Sequence, residues 1–106
     1  MTSALTTLAL DGELTIYRAA EIRTGLLAAR SDSPEGLEID LAGVTEIDSA
    51  GVQLLMAACR DARAHGQPLR ITGCNAVVAE VFDLFDLSGF FGEALTPATP
   101  LQESTP

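Results

Sequence analysis

Apolar residues recur along the chain with two spacings, and each spacing predicts a type of secondary structure. Short apolar runs and apolar–polar alternation predict strands, whereas apolar residues that return every three or four positions predict helices. By this criterion the predicted strands are residues 4–10, 13–16, 37–41 and 69–72. Two predicted helices occupy residues 18–30 and 52–64. A third follows Asn75, with an apolar stripe made of Val77, Val78, Val81, Phe82, Leu84, Phe85 and Leu87.

Turn and cap residues separate these segments. Asp11-Gly12 is a two-residue hairpin signal between the first two strands. Pro34 lies in a polar loop that ends the first helix, and Gly66 is placed to end the second helix as a left-handed cap. Near the C-terminus, Phe90 and Phe91 either begin a final short strand or dock on the core.

The order of these elements predicts an α/β fold. Alternating strands and helices favour parallel strands joined by right-handed crossovers. The hairpin adds an antiparallel pair, so the expectation is a mixed sheet of four to five strands, with an N-terminal hairpin followed by β-α repeats. We expect a single domain over residues 1–95, and a flexible C-terminal tail over the proline- and threonine-rich residues 96–106.

The most distinctive stretch lies where a strand-like segment meets the second helix, at Glu46-Ile47-Asp48-Ser49-Ala50-Gly51-Val52. The first backbone N–H groups of a helix lack partners within the helix and carry partial positive charge. A carboxylate and a hydroxyl at this place have two interpretations. Either Asp48 or Ser49 simply caps the helix, or the junction holds a hydroxyl, an anion or a phosphate. The residues alone leave both open.

The charge of the chain narrows the class of partner. The 106 residues carry a formal net charge of −9, and all six cationic side chains are arginines. Such an acidic chain disfavours binding to nucleic acid or to anionic lipid, and it suits docking onto a basic protein surface. No apolar run has the length of a membrane span and no signal peptide is apparent. Direct membrane insertion is therefore not expected, and the expected location is cytoplasmic.

Catalytic and metal chemistry are not predicted. Cys59 falls on the apolar face of the second helix and is expected in the core, while Cys74 lies between a strand and a helix, where a thiol could react. The single histidine, His65, is placed in the last turn of a helix without metal ligands or a nucleophile near it in sequence. We expect no catalytic residue, no metal and no cofactor, and hence a protein that is not an enzyme.

Three stretches of the chain resemble the STAS family, the sulphate transporter and anti-sigma factor antagonist domains. The resemblance covers about residues 5–95, and it is carried by Leu8 to Ile16, by Ile39 to Leu41 with Val44 to Leu55, and by Leu69 to Gly73 with Phe85-Asp86-Leu87. The match at Asp48-Ser49-Ala50-Gly51 is the most specific, because it combines a motif with a strand-to-helix setting. The resemblance implies the STAS fold, with helices largely on one side of the sheet.

The same resemblance implies a phosphorylation switch. In stand-alone antagonists of the family a partner kinase phosphorylates the serine that follows the aspartate, which corresponds here to Ser49. The unmodified domain is expected to bind a protein that is often both serine kinase and anti-sigma factor; phosphorylation releases that partner, and a separate phosphatase restores binding. The expected partner-binding residues are Thr45, Asp48, Ser49, Ala50, Gly51, Val52 and Gln53.

Two alternatives to this switch stay open. Other small STAS proteins bind the ATPase of a lipid transporter or act beside chemotaxis proteins, and in that case Ser49 would be only a cap and a contact. The chain also departs from many antagonists, which carry a second small polar residue and another glycine beyond the serine, where this chain has Ala50, Val52 and Gln53. This departure weakens the case for sigma-factor control specifically and leaves the expected fold unchanged.

Overall fold

Five short strands and four α-helices make up residues 6–91, the part of the chain that the computed structural model describes. A 3₁₀ turn, Ile16–Arg18, precedes the first α-helix. In chain order the elements are β1 Thr6–Ala9, β2 Gly12–Leu14, α1 Ala19–Ser31, β3 Leu37–Asp40, β4 Val44–Ile47, α2 Ser49–Ala64, β5 Leu69–Thr72, α3 Ala76–Leu84 and α4 Ser88–Phe91. This order confirms the predicted α/β class.

The strands form two small parallel sheets. Strand β3 lies between β1 and β5 and is parallel to both, and β2 pairs in parallel with β4. The residues between β1 and β2 run alongside the residues between β3 and β4. Strand β2 therefore continues the direction of β1, and β4 continues the direction of β3. All the strand pairings within residues 6–91 are parallel. The antiparallel pair of the predicted mixed sheet is not found among these residues.

The predicted hairpin at Asp11-Gly12 is wrong. The chain does not reverse there, because Leu10 N donates to Asp40 O at 3.0 Å and Gly12 N donates to Gly43 O at 2.9 Å. Both acceptors belong to the same segment, so the backbone continues in one direction on either side of Asp11. The guanidinium of Arg18 also donates to the carbonyl oxygens on both sides of the link, Asp11 O at 2.7 Å and Glu13 O at 3.0 Å. The positive φ of Gly12, 79°, therefore bends the chain between β1 and β2 without reversing it.

The core lies between the sheets and the inner faces of the helices. The alternation predicted for the third strand is confirmed, since Leu37, Ile39 and Leu41 are buried and the acidic residues between them are half-buried. Helix α2 adds the face predicted from its helical spacing. The remaining buried apolar side chains are Leu14, Ile22, Leu26, Val44, Ile47, Val52, Leu55, Cys59, Ala62, Ile71, Val78, Phe82, Leu87 and Phe91. None of the described helices is long and apolar enough to span a bilayer.

The end of α2 confirms the predicted glycine cap. Gly66 has a φ of 63°, and the N–H of Gln67 reaches back to Ala62 O at 2.9 Å while the N–H of Gly66 reaches Arg63 O at 3.2 Å. This is the Schellman pattern of bonds that satisfies the last carbonyls of a helix. At the start of α3, the predicted cap is also confirmed, because Asn75 accepts the N–H of Val78 at 3.0 Å.

The C-terminal part of the predicted third helix is corrected. Helix α3 ends at Leu84, after which Asp86 adopts a φ of 56° and turns the chain away. Leu84, the last residue of α3, is 76 % exposed and does not extend the buried stripe. Phe90 and Phe91 lie in α4, so they do not begin a strand. Phe91 docks on the core: it is fully buried and stacks on Phe82 at a centroid distance of 4.9 Å. Residues 92–106, including the expected tail, lie outside the described part of the chain.

Candidate functional site

The junction between β4 and α2 is built around the carboxylate of Asp48. Asp48 is the N-cap of α2, and its Oδ1 accepts the N–H of Gly51 at 3.1 Å. Ser49 is the first residue of the helix and its side chain is exposed. Of the two capping residues that the sequence allowed, the structure therefore selects Asp48, and the hydroxyl of Ser49 is not the cap of the helix.

The same carboxylate joins the junction to the first part of the chain. Its Oδ2 accepts the backbone N–H of Ile16 at 3.1 Å, and the N–H of Asp48 donates to Leu14 O at 3.3 Å. Strands β2 and β4 run in parallel, so their carboxyl ends meet here at one edge of the small sheet. Asp48 thus holds together the first turn of α2 and the start of the 3₁₀ turn.

These bonds also set the acidity of Asp48. Desolvation of the half-buried carboxyl acts to raise its pKa, but the backbone N–H groups of Ile16, Gly51, Ala50 and Asp48 itself stabilise the charged form. The hydrogen bonds outweigh the desolvation, and the pKa of Asp48 lies below its ordinary value of 3.8. The junction therefore carries a fixed negative charge beside Ser49 at neutral pH.

Gly51 is required by a close backbone approach. A Cβ built at this position would collide with the carbonyl oxygen of Leu14, on the strand that faces the first turn of α2. The absence of a side chain lets α2 begin directly against β2, and this proximity brings Asp48 within hydrogen-bonding distance of Ile16. The motif glycine thus has a packing role in this fold.

The residues expected at the partner-binding surface differ in exposure. The side chains of Thr45, Ser49 and Gln53 are exposed, while Asp48 and Ala50 are half-buried. Gly51 is buried, and Val52 is only 2 % exposed because it faces the core. A partner that docks at the junction can therefore touch the first five directly. Gly51 and Val52 are not at the surface, so any effect of these two on binding would act through packing.

Two exposed apolar side chains beside the junction were not singled out from the sequence. Ile16 is 62 % exposed and Tyr17 is 89 % exposed, although the hydrophobic pattern placed Ile16 at the end of a strand. The strand ends instead at Leu14, and the 3₁₀ turn carries both side chains outward. No local signal in the sequence marks this break in the strand, since the N–H of Ile16 is bonded to Asp48, 32 residues away.

A pair of acidic residues borders the same site. Glu13 and Glu46 are partners in the parallel register of β2 and β4, and both side chains are exposed. The register shifts just before them, so that Thr45 is an extra residue in β4, as in a β-bulge. Two carboxylates on adjacent strands repel each other, and among residues 6–91 neither is in an ion pair.

Other features of the described residues lie away from this junction. A cavity of about 240 Å³ between α1 and α2 is lined mainly by leucine and alanine, with the Arg30–Asp61 ion pair at its edge. Burial raises the pKa of the Cys59 thiol to about 11, and it also raises the pKa of Cys74, so both thiols are poor nucleophiles at neutral pH. Within residues 6–91 no group of three or more potential ligands is placed to hold a metal ion.

Comparison with known proteins identifies the family. A family model described as the MlaB STAS domain matches residues 1–97. The anti-sigma-B factor antagonist of Staphylococcus epidermidis is 26 % identical over 76 residues, which cover 72 % of this chain and 70 % of that protein. The chain belongs to the STAS domain family.

Solved structures agree with this fold at low sequence identity. A sulfate transporter family protein from Wolinella succinogenes superimposes with a TM-score of 0.70 at 15 % identity, over 91 % of this chain and 79 % of that one. The anti-sigma factor antagonist SpoIIAA in its unphosphorylated form gives 0.64 at 21 % identity, over 96 % and 88 %. The STAS domain of a SulP transporter from Vibrio cholerae gives 0.67 at 21 % identity, over 92 % and 77 %. These superpositions support the STAS fold for this chain.

Proposed function

We propose that this STAS module binds a partner protein through the β4–α2 junction and that phosphorylation of Ser49 by a serine kinase releases the partner. The observation that carries the proposal is the division of labour at the junction. Asp48 caps α2, so the exposed hydroxyl of Ser49 is left without a part in ending the helix. A kinase can modify it without removing a contact on which the fold depends.

The position of Ser49 suits a modification that changes binding and spares the fold. A phosphoserine adds about −1.5 to −2 charges at neutral pH. At the first residue of a helix these charges are favoured by the helix dipole and by unpaired N–H groups. Asp48 already accepts the N–H of Gly51 and Ser49 is exposed, so solvent is open to an added phosphate. The domain should stay folded.

Binding responds differently from folding. A partner that packs over Ser49 would have to desolvate the phosphate beside the carboxylate of Asp48. Burying an unpaired charge costs at least ~2 kcal/mol. Release therefore needs no change in the shape of this chain. The partner proposed is a serine kinase of the anti-sigma type, and a separate phosphatase removes the phosphate from Ser49 and restores binding. This chain is a substrate in both reactions and catalyses neither. The relationship to an anti-sigma-B factor antagonist supports this choice.

A second candidate is favoured by the family model, which is described as the MlaB STAS domain. In this case the module would be a constitutive subunit docked on a transporter ATPase, and Ser49 would be a contact residue only. The same junction would face the partner, so the two candidates differ in the chemistry of Ser49. A chemotaxis-associated module without phosphorylation would behave like the second candidate.

Intact-mass analysis separates the two. The chain is incubated with ATP and each serine kinase of the anti-sigma type from the same genome, and Ser49→Ala and Ser31→Ala are treated identically. The proposal predicts the addition of one phosphoryl group to the wild type and to Ser31→Ala, and none to Ser49→Ala. Ser31 is the matched control because it is an exposed serine at the end of α1, outside the junction. An unchanged wild-type mass with every kinase would favour the transporter subunit.

A further inference from the structure

We propose that Ile16 and Tyr17, together called the apolar anchor, are the main attachment point for the partner at this junction. The partner is then a protein with an apolar pocket for the anchor and with arginine or lysine side chains that face Glu13 and Glu46. This inference rests on the proposed binding of a protein at the β4–α2 junction, and it adds the chemistry of that protein. Ile16 and Tyr17 lie 33 and 32 residues before Ser49 in the sequence.

The exposure of the anchor has no explanation within the described fold. Single exposed apolar residues are normal on protein surfaces, whereas two consecutive large ones beside a functional site indicate a contact surface. Tyr17 has the highest exposure, 89 %, of the large apolar side chains of the described residues, and Ile16 is 62 % exposed. Tyrosine is also among the side chains that contribute most to protein–protein binding, because its large ring loses little conformational entropy.

The backbone of the anchor is held in place before any partner binds. The N–H of Ile16 is bonded to Asp48, and the N–H of Arg18 donates to Thr15 O at 3.0 Å, which closes the 3₁₀ turn. Thr15 itself is 3 % exposed. A rigid attachment reduces the entropy lost on binding, since only the side-chain rotamers remain to be fixed. The anchor is thus preorganised for docking.

The same hydrogen bonds place the anchor next to the phosphorylation site. One carboxylate, that of Asp48, accepts the N–H of Ile16 and also caps the helix that begins at Ser49. The 3₁₀ turn packs against α2. A partner surface that covers Ser49 therefore meets Ile16 and Tyr17, and its apolar pocket becomes the place where a phosphate on Ser49 would have to be desolvated.

The neighbouring charges indicate what borders that pocket. Glu13 and Glu46 lie side by side on the exposed face of β2 and β4, so an isolated module carries their repulsion. Cations on the partner would remove this repulsion and would steer the encounter with a chain of net charge −9. The apolar pocket that receives the anchor also covers Ser49, so desolvation of a phosphate on Ser49 would still oppose binding.

The test measures dissociation constants by calorimetry for the serine kinase that phosphorylates Ser49, or for the transporter ATPase if no kinase does. Tyr17→Ala and the double variant Ile16→Ser, Tyr17→Ser are compared with Leu84→Ser. Leu84 is a matched control because it is 76 % exposed and lies away from the junction. It ends α3 just before α4, and α4 is bonded to Arg63 at the C-terminal end of α2. At 1.5 Å per residue, Arg63 lies about 20 Å from Ser49 along the helix.

We expect Tyr17→Ala to weaken binding at least ~10-fold and the double variant ~100-fold, as for central interface side chains. Leu84→Ser should stay within about twofold, because surface changes away from a contact have small effects. Glu13→Gln with Glu46→Gln should slow association and flatten its salt dependence. Glu35→Gln with Glu80→Gln changes the net charge equally and should retain the steep salt dependence. Thermal unfolding of each variant checks that the domain is intact.

The outcomes separate this inference from the proposed function. Wild-type affinity in both anchor variants would overturn the anchor, even if Ser49→Asp abolishes binding and the switch stands. Loss of binding in the anchor variants with no effect of Ser49→Asp would support the anchor and remove the switch. No measurable binding of the wild type to either class of partner would overturn both.

Discussion

The carboxylate of Asp48 accepts the backbone N–H of Ile16 at 3.1 Å, across 32 residues of sequence. Its other oxygen caps α2 through Gly51. A single side chain thus connects the first turn of the helix that carries Ser49 to the 3₁₀ turn that carries the exposed Ile16 and Tyr17. This bond fixes the backbone of the apolar anchor beside Ser49.

Replacing Asp48 should destabilise the domain through both of its bonds. Asp48→Ala removes an N-cap, which typically costs ~1 kcal/mol, and leaves a second N–H without its acceptor, so we expect a loss of about 2 kcal/mol. Asp48→Asn keeps one acceptor oxygen and turns an NH₂ group toward Ile16, so the expected loss is about half as large. Urea unfolding provides the measurement. A loss below about 0.5 kcal/mol for Asp48→Ala would show that the carboxylate does not hold the junction.

The stability of the domain should fall in acid partly because of Asp48. Its pKa is lower in the folded state than the ordinary value of 3.8, so its charged form stabilises the fold. That contribution is complete above the unfolded-state pKa and is lost as the pH falls through the lower folded-state pKa. The measurement is the difference in unfolding free energy between the wild type and Asp48→Asn from neutral pH to below 3. The difference should shrink on acidification, and a constant or growing difference contradicts the assigned bonds.

Two glycines in helices should respond to alanine in opposite directions. In α2, a methyl group at Gly51 collides with the Leu14 carbonyl, so Gly51→Ala should destabilise by about 2 kcal/mol or more. In α1, nothing lies within 4 Å of a Cβ at Gly25, so Gly25→Ala should stabilise by ~0.5–1 kcal/mol through helix propensity. Chemical unfolding of both variants checks the pair. A neutral or stabilising Gly51→Ala would remove the close approach from the account of the site.

The end of α3 offers a stabilising substitution. Asp86 is exposed and has a φ of 56°, a region that costs a residue with a side chain roughly 1 kcal/mol relative to glycine. The N–H of Leu87 donates to Phe82 O at 2.9 Å, so the helix end already has the Schellman bond. Asp86→Gly should therefore raise the unfolding free energy by ~0.5–1 kcal/mol. Glu80→Gly, in the interior of the same helix, is the control and should lower it by a similar amount.

Local signals in the sequence predicted the helices and the strands of the larger sheet well. Strand β5 was predicted with its observed bounds, and the caps at Gly66 and Asn75 are where the pattern placed them. Each of these depends on bonds between residues close in sequence. The position of Asp48 at the start of a helix was predictable for the same reason.

Features that depend on distant neighbours were not predictable. Asp11-Gly12 carries a hairpin signal, but hydrogen bonds to the segment around Asp40 and Gly43 decide that the chain continues forward. The exposure of Ile16 likewise depends on a bond to Asp48, which no short window of sequence contains.

Under the proposed function, the chemical state of Ser49 controls partner binding while the fold stays intact. The most direct test compares dissociation constants of the kinase partner for the unmodified chain and for the same chain fully phosphorylated at Ser49, with thermal unfolding measured on both. We predict at least ~100-fold weaker binding after phosphorylation, since desolvation of a phosphate beside the Asp48 carboxylate costs several kcal/mol, and an unchanged unfolding cooperativity. Equal affinities for the two forms, with both folded, would rule out the switch.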